Sequence, residues 1–382
     1  ANSSGTTIAG SATLKLKGDI TVGESITIGG GSATFGNLSG NNTLTGTYTK
    51  TNSTSTISSD AGTLTFTPAA GNAIELGTTA LTFTGAGNVS VDGAITGTSS
   101  ITKLGTGTAT LSGNNTYTGA VTLSQGVLRA ASSNALGTTA GGITVASGAT
   151  LELGGPASPG GIAIGAEALT VSDGGAIHNV AGYNTYAGGM TLSGNASITV
   201  DTGTRLNFTA SGAPAIAIAG NKRLSLYLTD GDLTFAKALS GSAGSSYLKA
   251  GGGTLTTGGI SGLILVTGVY ARLYDPTGND YSTEYGSTPD YTFGFFDAAS
   301  GGNRVNLALT SGYTGTPTWS GTAPALGSAA GAYSLTYASG LTVTSNSYAL
   351  MGAGSATTWT VAPKVVTVTL SPPSATYNGV TT

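Results

Sequence analysis

Apolar residues in the first 260 positions recur at every second place in short runs. Residues 13–17 read Thr-Leu-Lys-Leu-Lys and residues 26–28 read Ile-Thr-Ile. A period of two sends alternate side chains to opposite faces of a β-strand. The same pattern predicts strands over 12–16, 25–28, 63–67, 80–84, 89–91, 108–111, 120–123, 142–145, 150–153, 168–171, 197–200 and 223–228. Gly and Asn fall between these runs, where turns need positive φ. No long run of helix formers interrupts them, so the expected fold class is all-β.

Strands spaced about ten residues apart suit sandwiches, barrels and solenoids alike. Internal similarity decides among them. Residues 38–46, Leu-Ser-Gly-Asn-Asn-Thr-Leu-Thr-Gly, are similar to 111–119, Leu-Ser-Gly-Asn-Asn-Thr-Tyr-Thr-Gly, with a fainter echo at 192–197. A recurring strand–turn–strand unit favours a solenoid, in which each coil buries its inner face only by stacking on its neighbours. At about 20–25 residues per coil, residues 1–262 would make roughly eleven to thirteen coils of a parallel β-helix.

Beyond residue 262 the composition changes. Ten of the 16 Tyr, both Trp and seven of the 11 Pro lie at or after Tyr270. Aromatic anchors and Pro-bounded strands suit a compact β-sandwich-like domain with its own core, placed at 263–363. Strands are expected there at 263–266, 291–295, 304–309, 333–337, 348–351 and 358–361. A further strand at 365–370 and a Tyr-Asn-Gly turn at 377–379 read as the truncated start of a second such domain, or a connecting strand, over 364–382. The chain opens at Ala1 without Met or a basic leader, so an upstream portion is expected to be missing.

Composition narrows the chemistry. Charged residues are only 8 % of the chain against 39 % hydrophobic, with a net charge of −3. A disordered chain has the reverse balance. The 13 Lys and Arg form no stripe, which argues against nucleic acid as a partner. With no Cys there is no thiolate zinc site, iron–sulfur cluster or thiol nucleophile. No apolar run is long enough for a membrane helix, so a membrane is expected to be involved only through an anchor or transporter outside the chain.

Residues 101–155 carry the most specific pattern. Lys103, Gly105, Gly107, Leu111, Gly113, Asn115, Tyr117 and Gly119 fit Lys-x-Gly-x-Gly-x-x-x-Leu-x-Gly-x-Asn-x-Tyr-x-Gly. This closely resembles the autotransporter-associated β-strand repeat, also called the passenger-associated transport repeat. The copy at 38–46 departs from it, with Leu44 in place of the aromatic residue. The resemblance implies a right-handed parallel β-helix, displayed at the surface of a Gram-negative cell by type V secretion, with a role in secretion and folding rather than catalysis. Residues 285–293 and 359–364 resemble the MBG/YDG-type β-domains of large filamentous-haemagglutinin-like adhesins. Together these imply an extracellular, non-enzymatic stalk or spacer for adhesion, biofilm or fibre formation. Its expected partners are glycans or proteins of a host or neighbouring cell, or further copies of itself.

Two other classes compete. A β-helix enzyme acting on polysaccharides needs converging acids. Asp230 and Asp232 are the nearest N-terminal pair, but Thr-Asp-Gly-Asp at 229–232 reads as a hairpin-like turn. A glycan-binding module could instead use the Tyr-rich residues 263–363. His178, the one histidine, lacks a second His or Cys for a metal site and reads as a solvated loop or coil-edge residue. No cofactor is expected beyond possible calcium. Asp275, Asn279 and Asp280 put hard oxygen ligands together, but without EF-hand spacing, and an exposed turn explains them as well. Thr spacing along the chain is irregular, which argues against a flat water-ordering array.

Overall fold

The computed structural model describes residues 5–51, 54–154, 160–210, 216–218, 220–243, 245–261 and 263–274. Beyond these it describes the segments 282–284, 292–296, 304–305, 313–321, 331–343, 348–353 and 357–362. The chain divides into two units, Ala1–Thr267 and Gly268–Thr382.

In the first unit each coil lays one short strand on a first face, one on a second and, in most coils, one on a third. The first face is a 12-stranded sheet running from Thr13–Lys17 to Ile260–Ser261. The second begins at Thr21–Val22 and ends with residues 264–267, which pair with Ser246–Ala250. The third comprises two 5-stranded sheets, Thr6–Ile8 to Ala94–Thr96 and Ala163–Ile164 to Leu255–Thr257. Neighbouring coils pair in parallel and in register: Ile101 faces Val121, Val121 faces Ile143, and Ile143 faces Leu169. The result is an all-β parallel solenoid of about 11 turns, with no helix among the described residues.

Alternation along each strand fills the interior. In Leu81–Thr84, Leu81 and Phe83 are fully buried while Thr82 and Thr84 face outward. Stacking then converts alternation into rows. Tyr186, Phe208 and Phe235 are successive register partners, with ring centroids 5.7 and 5.3 Å apart. Phe35, Tyr48 and Phe66 form a second aromatic cluster at 6.0 to 6.2 Å.

The outward rows correct the expectation of irregular Thr. Thr13, Thr34, Thr56, Thr82, Thr102, Thr122, Thr144, Thr170 and Thr191 form one unbroken ladder on the first face. Coil length hides it in the sequence. Register partners lie 26 residues apart at Thr49 and Glu75, whereas the contact between Ile95 and Asn115 spans 20. Most added residues leave at the corners, with register shifts within strand pairs between Leu16 and Lys17, Asn72 and Ile74, and Leu153 and Gly154.

Residues 229–232 make no hairpin. They form a corner, with Asp230 at φ 55°, that leads into the parallel strand Asp232–Phe235.

The second unit is built mainly of antiparallel pairs. Residues 270–274 pair with Thr292–Phe296, and Tyr313–Ser320 pairs with the long strand Gly331–Val343. The latter also pairs with Thr357–Ala362. The expected strand at 365–370 lies outside the described residues.

Phe208 touches an aromatic ring in the coil on each side, so Phe208→Ala should cost about 3–5 kcal/mol. The loss should fall on nearby coils, because a solenoid is stabilised by nearest-neighbour interfaces. Urea unfolding and limited proteolysis, with cleavage mapped to residues around 186–235, would check both parts.

Candidate functional site: the repeat coil and the break in the third face

Between Ala94–Thr96 and Ala163–Ile164 the third face carries no strand among the described residues. Residues 113–119 and 131–142 cross that span as irregular chain. The backbone ladder thins here to isolated bonds between coils, Thr116 N–H to the Ile95 carbonyl at 2.9 Å, Thr118 N–H to the Gly97 carbonyl at 3.1 Å and Thr138 N–H to the Tyr117 carbonyl at 2.9 Å, and a buried peptide group left unpaired costs about 1–3 kcal/mol. Side chains of the 103–119 pattern fill this need.

Asn115, only 3 % exposed, reaches both ways along the axis. Its Oδ1 accepts the Ile95 N–H at 2.7 Å and its Nδ2 donates to the Ala135 carbonyl at 2.7 Å. Tyr117 is fully buried two residues on, and its hydroxyl donates to the same Ala135 carbonyl at 3.4 Å. Lys103 sits in an inward row between Phe83 and Leu123. Its stem packs inside while its ammonium donates to the carbonyls of Leu104, Gly105 and Gln125 at 2.9, 2.8 and 3.3 Å. Burial lowers its pKa to about 8. Gly105 turns the corner at φ 75°, and a Cβ on Gly107 would overlap the Gly87 carbonyl of the coil below.

Residues 101–130 match the family model of the passenger-associated transport repeat. No curated protein and no solved structure matches the chain. The repeat and the solenoid together fit the passenger of an autotransporter, and the family implies a secreted, cell-surface protein. It points to a structural rather than a catalytic role. The geometry gives that role physical content: the polar residues of the repeat pair with backbone inside the coil.

Other coils use the same devices. Lys50, 2 % exposed, donates to the Thr79 carbonyl and hydroxyl, and burial lowers its pKa to about 8. Asn42 accepts the Ile20 N–H and donates to Asn37, while Asn184 accepts the Ile162 N–H and donates to Asn179. The sequence copies, however, do not superpose coil on coil. Leu111 ends a second-face strand and is fully buried, so 111–119 follows the second face. Leu38 ends near the first-face strand Ala33–Ser39 and is 45 % exposed, so 38–46 turns the preceding corner. The echo at 192–197 turns that same preceding corner: Asn195 Oδ1 accepts the Arg223 N–H as Asn41 Oδ1 accepts the Thr63 N–H.

Sequence reasoning missed Glu167. It is 3 % exposed and accepts the Tyr186 hydroxyl at its backbone carbonyl; burial first, and then the nearby Glu167 carboxylate, raises the pKa of both Tyr117 and Tyr186. Burial pushes its carboxyl up to about 7. Only the coil register places Glu167 beside Tyr117, 50 positions earlier in the chain.

The expected site residues separate. His178 is neither in a loop nor at a coil edge; it projects from the second-face strand Gly175–Ala181 into a charged ladder. Its Nε2 lies 2.9 Å from Asp201 and its Nδ1 3.7 Å from Glu152, which Arg129 holds at 2.6 Å. Glu152 first, then Asp201, raises the His178 pKa against the effect of burial. The carboxyl of Glu152 is held low, chiefly by His178 and also by Arg129. Asp232 pairs with Arg205 at 3.0 Å, while Asp230 occupies the corner. Asp275, Asn279 and Asp280 lie outside the described residues.

Asn115→Ala leaves the Ile95 N–H and the Ala135 carbonyl without this partner and should cost about 2–4 kcal/mol. Urea unfolding and faster hydrogen exchange at the Ile95 amide would check it. Glu167 binds its proton more tightly folded than unfolded. Its penalty therefore grows as pH rises from 4.5 to about 7 and is complete above that. Glu167→Gln should stabilise by roughly 1–3 kcal/mol at pH 8 and by almost nothing at pH 4, read from paired thermal melts. The raised His178 pKa contributes stability below pH 6.5 that is lost as pH rises through the folded value. As the chain has a single His, an NMR titration of its ring should give one midpoint above 6.5, shifting down in Glu152→Gln.

Proposed function

We propose that this chain is a stalk and adhesive spacer in a large, filamentous-haemagglutinin-like surface protein of a Gram-negative cell. The solenoid holds binding surfaces away from the membrane, and residues 263–363 form an MBG/YDG-type β-sandwich domain, with a further copy beginning near Lys364. The observation that carries the reading is the match at 101–130, whose polar side chains serve the coil itself. The antiparallel strands of the second unit support the sandwich. Sparse charge supports a surface selective for its partner, because it limits non-specific electrostatic attraction.

The test is to place residues 1–382 between a secretion signal and an autotransporter membrane barrel in a Gram-negative host. The chain should become accessible to protease added to intact cells, and those cells should adhere better to glycan- or protein-coated surfaces than cells carrying the barrel alone. Retention inside the cell would overturn the passenger reading. Surface display without any gain in adherence would overturn the adhesive one.

A further inference from the structure

The later part of the third face carries a groove of about 490 Å³ lined by side chains from three successive coils. Its floor is formed by the strands Arg205–Phe208, Asp232–Phe235 and Leu255–Thr257. Their outward residues lie in register: Arg205 beside Asp232, Asn207 beside Thr234, and Thr234 beside Thr256. The alternate residues Leu206, Phe208, Leu233 and Phe235 are fully buried beneath them. The polar floor therefore rests on the aromatic stack, which fixes its spacing at about 4.8 Å per coil.

Arg205 is held from two sides. Its guanidinium carbon lies 4.9 Å from the centroid of the Tyr183 ring, and its Nη2 donates to Asp232 Oδ2 at 3.0 Å. The side chains of Arg205 and Asp232 remain 45 % and 41 % exposed. The groove thus presents a forked donor and a carboxylate acceptor side by side. The Asn207 amide and the Thr234 and Thr256 hydroxyls follow on the next row.

We propose that this groove binds a neutral oligosaccharide. Adjacent sugar hydroxyls each donate one hydrogen bond and accept another, and Asp232 with Arg205 supplies both partners from fixed positions. Asn207 and Thr234 do the same one row along. Net charge selects against the alternatives. Asp232 already neutralises Arg205, so a sulfated or uronate chain would have to displace it, and a cationic ligand would meet Arg205. Among the described residues lining the groove, Asp232 is the single carboxylate. Glycosidic cleavage uses two, so the arrangement suits binding. The groove stands on its own geometry, but its role on the cell rests on the adhesive reading above.

The experiment probes the full chain on an array of neutral, sulfated and uronate-bearing oligosaccharides. Calorimetry with the best neutral ligand then compares wild type, Asp232→Asn and Arg205→Lys, with melting temperatures as the folding control. Binding of a neutral glycan, weakened at least tenfold in both variants at unchanged melting temperature, supports the proposal. No neutral ligand, a preference for sulfated chains, or equal binding by the variants overturns it. Cells displaying the chain separate this result from the adhesive reading. Glycan binding that depends on Asp232, without cell adherence, sinks only the adhesive reading. Adherence that persists in Asp232→Asn while no neutral glycan binds the chain sinks only the groove.

Discussion

Each coil of the first unit must lay its strands in register on the coil before it. The parallel backbone ladder sets that constraint: it fixes the axial spacing and stacks every inward side chain on its register partner. Ile101, Val121, Ile143 and Leu169 form a buried row because the ladder aligns them, although the intervals between them in the chain differ. Large apolar side chains fill the narrow interior in consecutive coils, as in Tyr186, Phe208 and Phe235 or Ile143, Leu169 and Met190.

The ladder satisfies backbone groups only where strands continue. Corners and the interrupted third face leave carbonyls and amides pointing inward, and the chain meets them with amphipathic side chains. Lysine brings a long apolar stem and a terminal donor, so Lys50 and Lys103 occupy core rows while their ammonium groups reach corner carbonyls. Asparagine carries a donor and an acceptor on one short stem. Asn115 therefore reinforces a sparse stretch of ladder by bonding to the coil on either side. These groups are costly to bury, and the lowered pKa of both lysines records that cost.

What could be read from the sequence follows the same division. Alternation placed strands such as Thr108–Leu111 and Arg223–Leu228 because it is a property of neighbouring residues. The solenoid was legible through the 101–119 pattern. Contacts between coils were not, since they depend on loop lengths that a linear reading cannot align. The nine-residue Thr ladder looked irregular for this reason. His178 looked solitary although Glu152 and Asp201 flank it, and Glu167 showed no signal at all. The copies at 38–46 and 111–119 share a turn sequence rather than a coil position; the turn chemistry of Ser-Gly-Asn-Asn serves either corner.

The break in the third face gives this arrangement a direction of dependence. On one side lies the Phe35–Tyr48–Phe66 cluster and on the other the Tyr186–Phe208–Phe235 stack, each held by ring contacts between coils. Between Ala94–Thr96 and Ala163–Ile164 the third face keeps only isolated backbone bonds between coils, such as Thr116 N–H to Ile95 and Thr138 N–H to Tyr117, and Asn115 and Tyr117 add side-chain bonds there. An isolated coil of this kind would leave Asn115 with both partners absent, whereas Lys103 would keep its bonds to Leu104 and Gly105 and lose only that to Gln125. Asn115 and Tyr117 thus gain their side-chain bonds only from neighbouring coils in register and favour the aligned coil over a misaligned one. Such discrimination between registers is what a chain of otherwise similar Thr- and Gly-rich strands lacks.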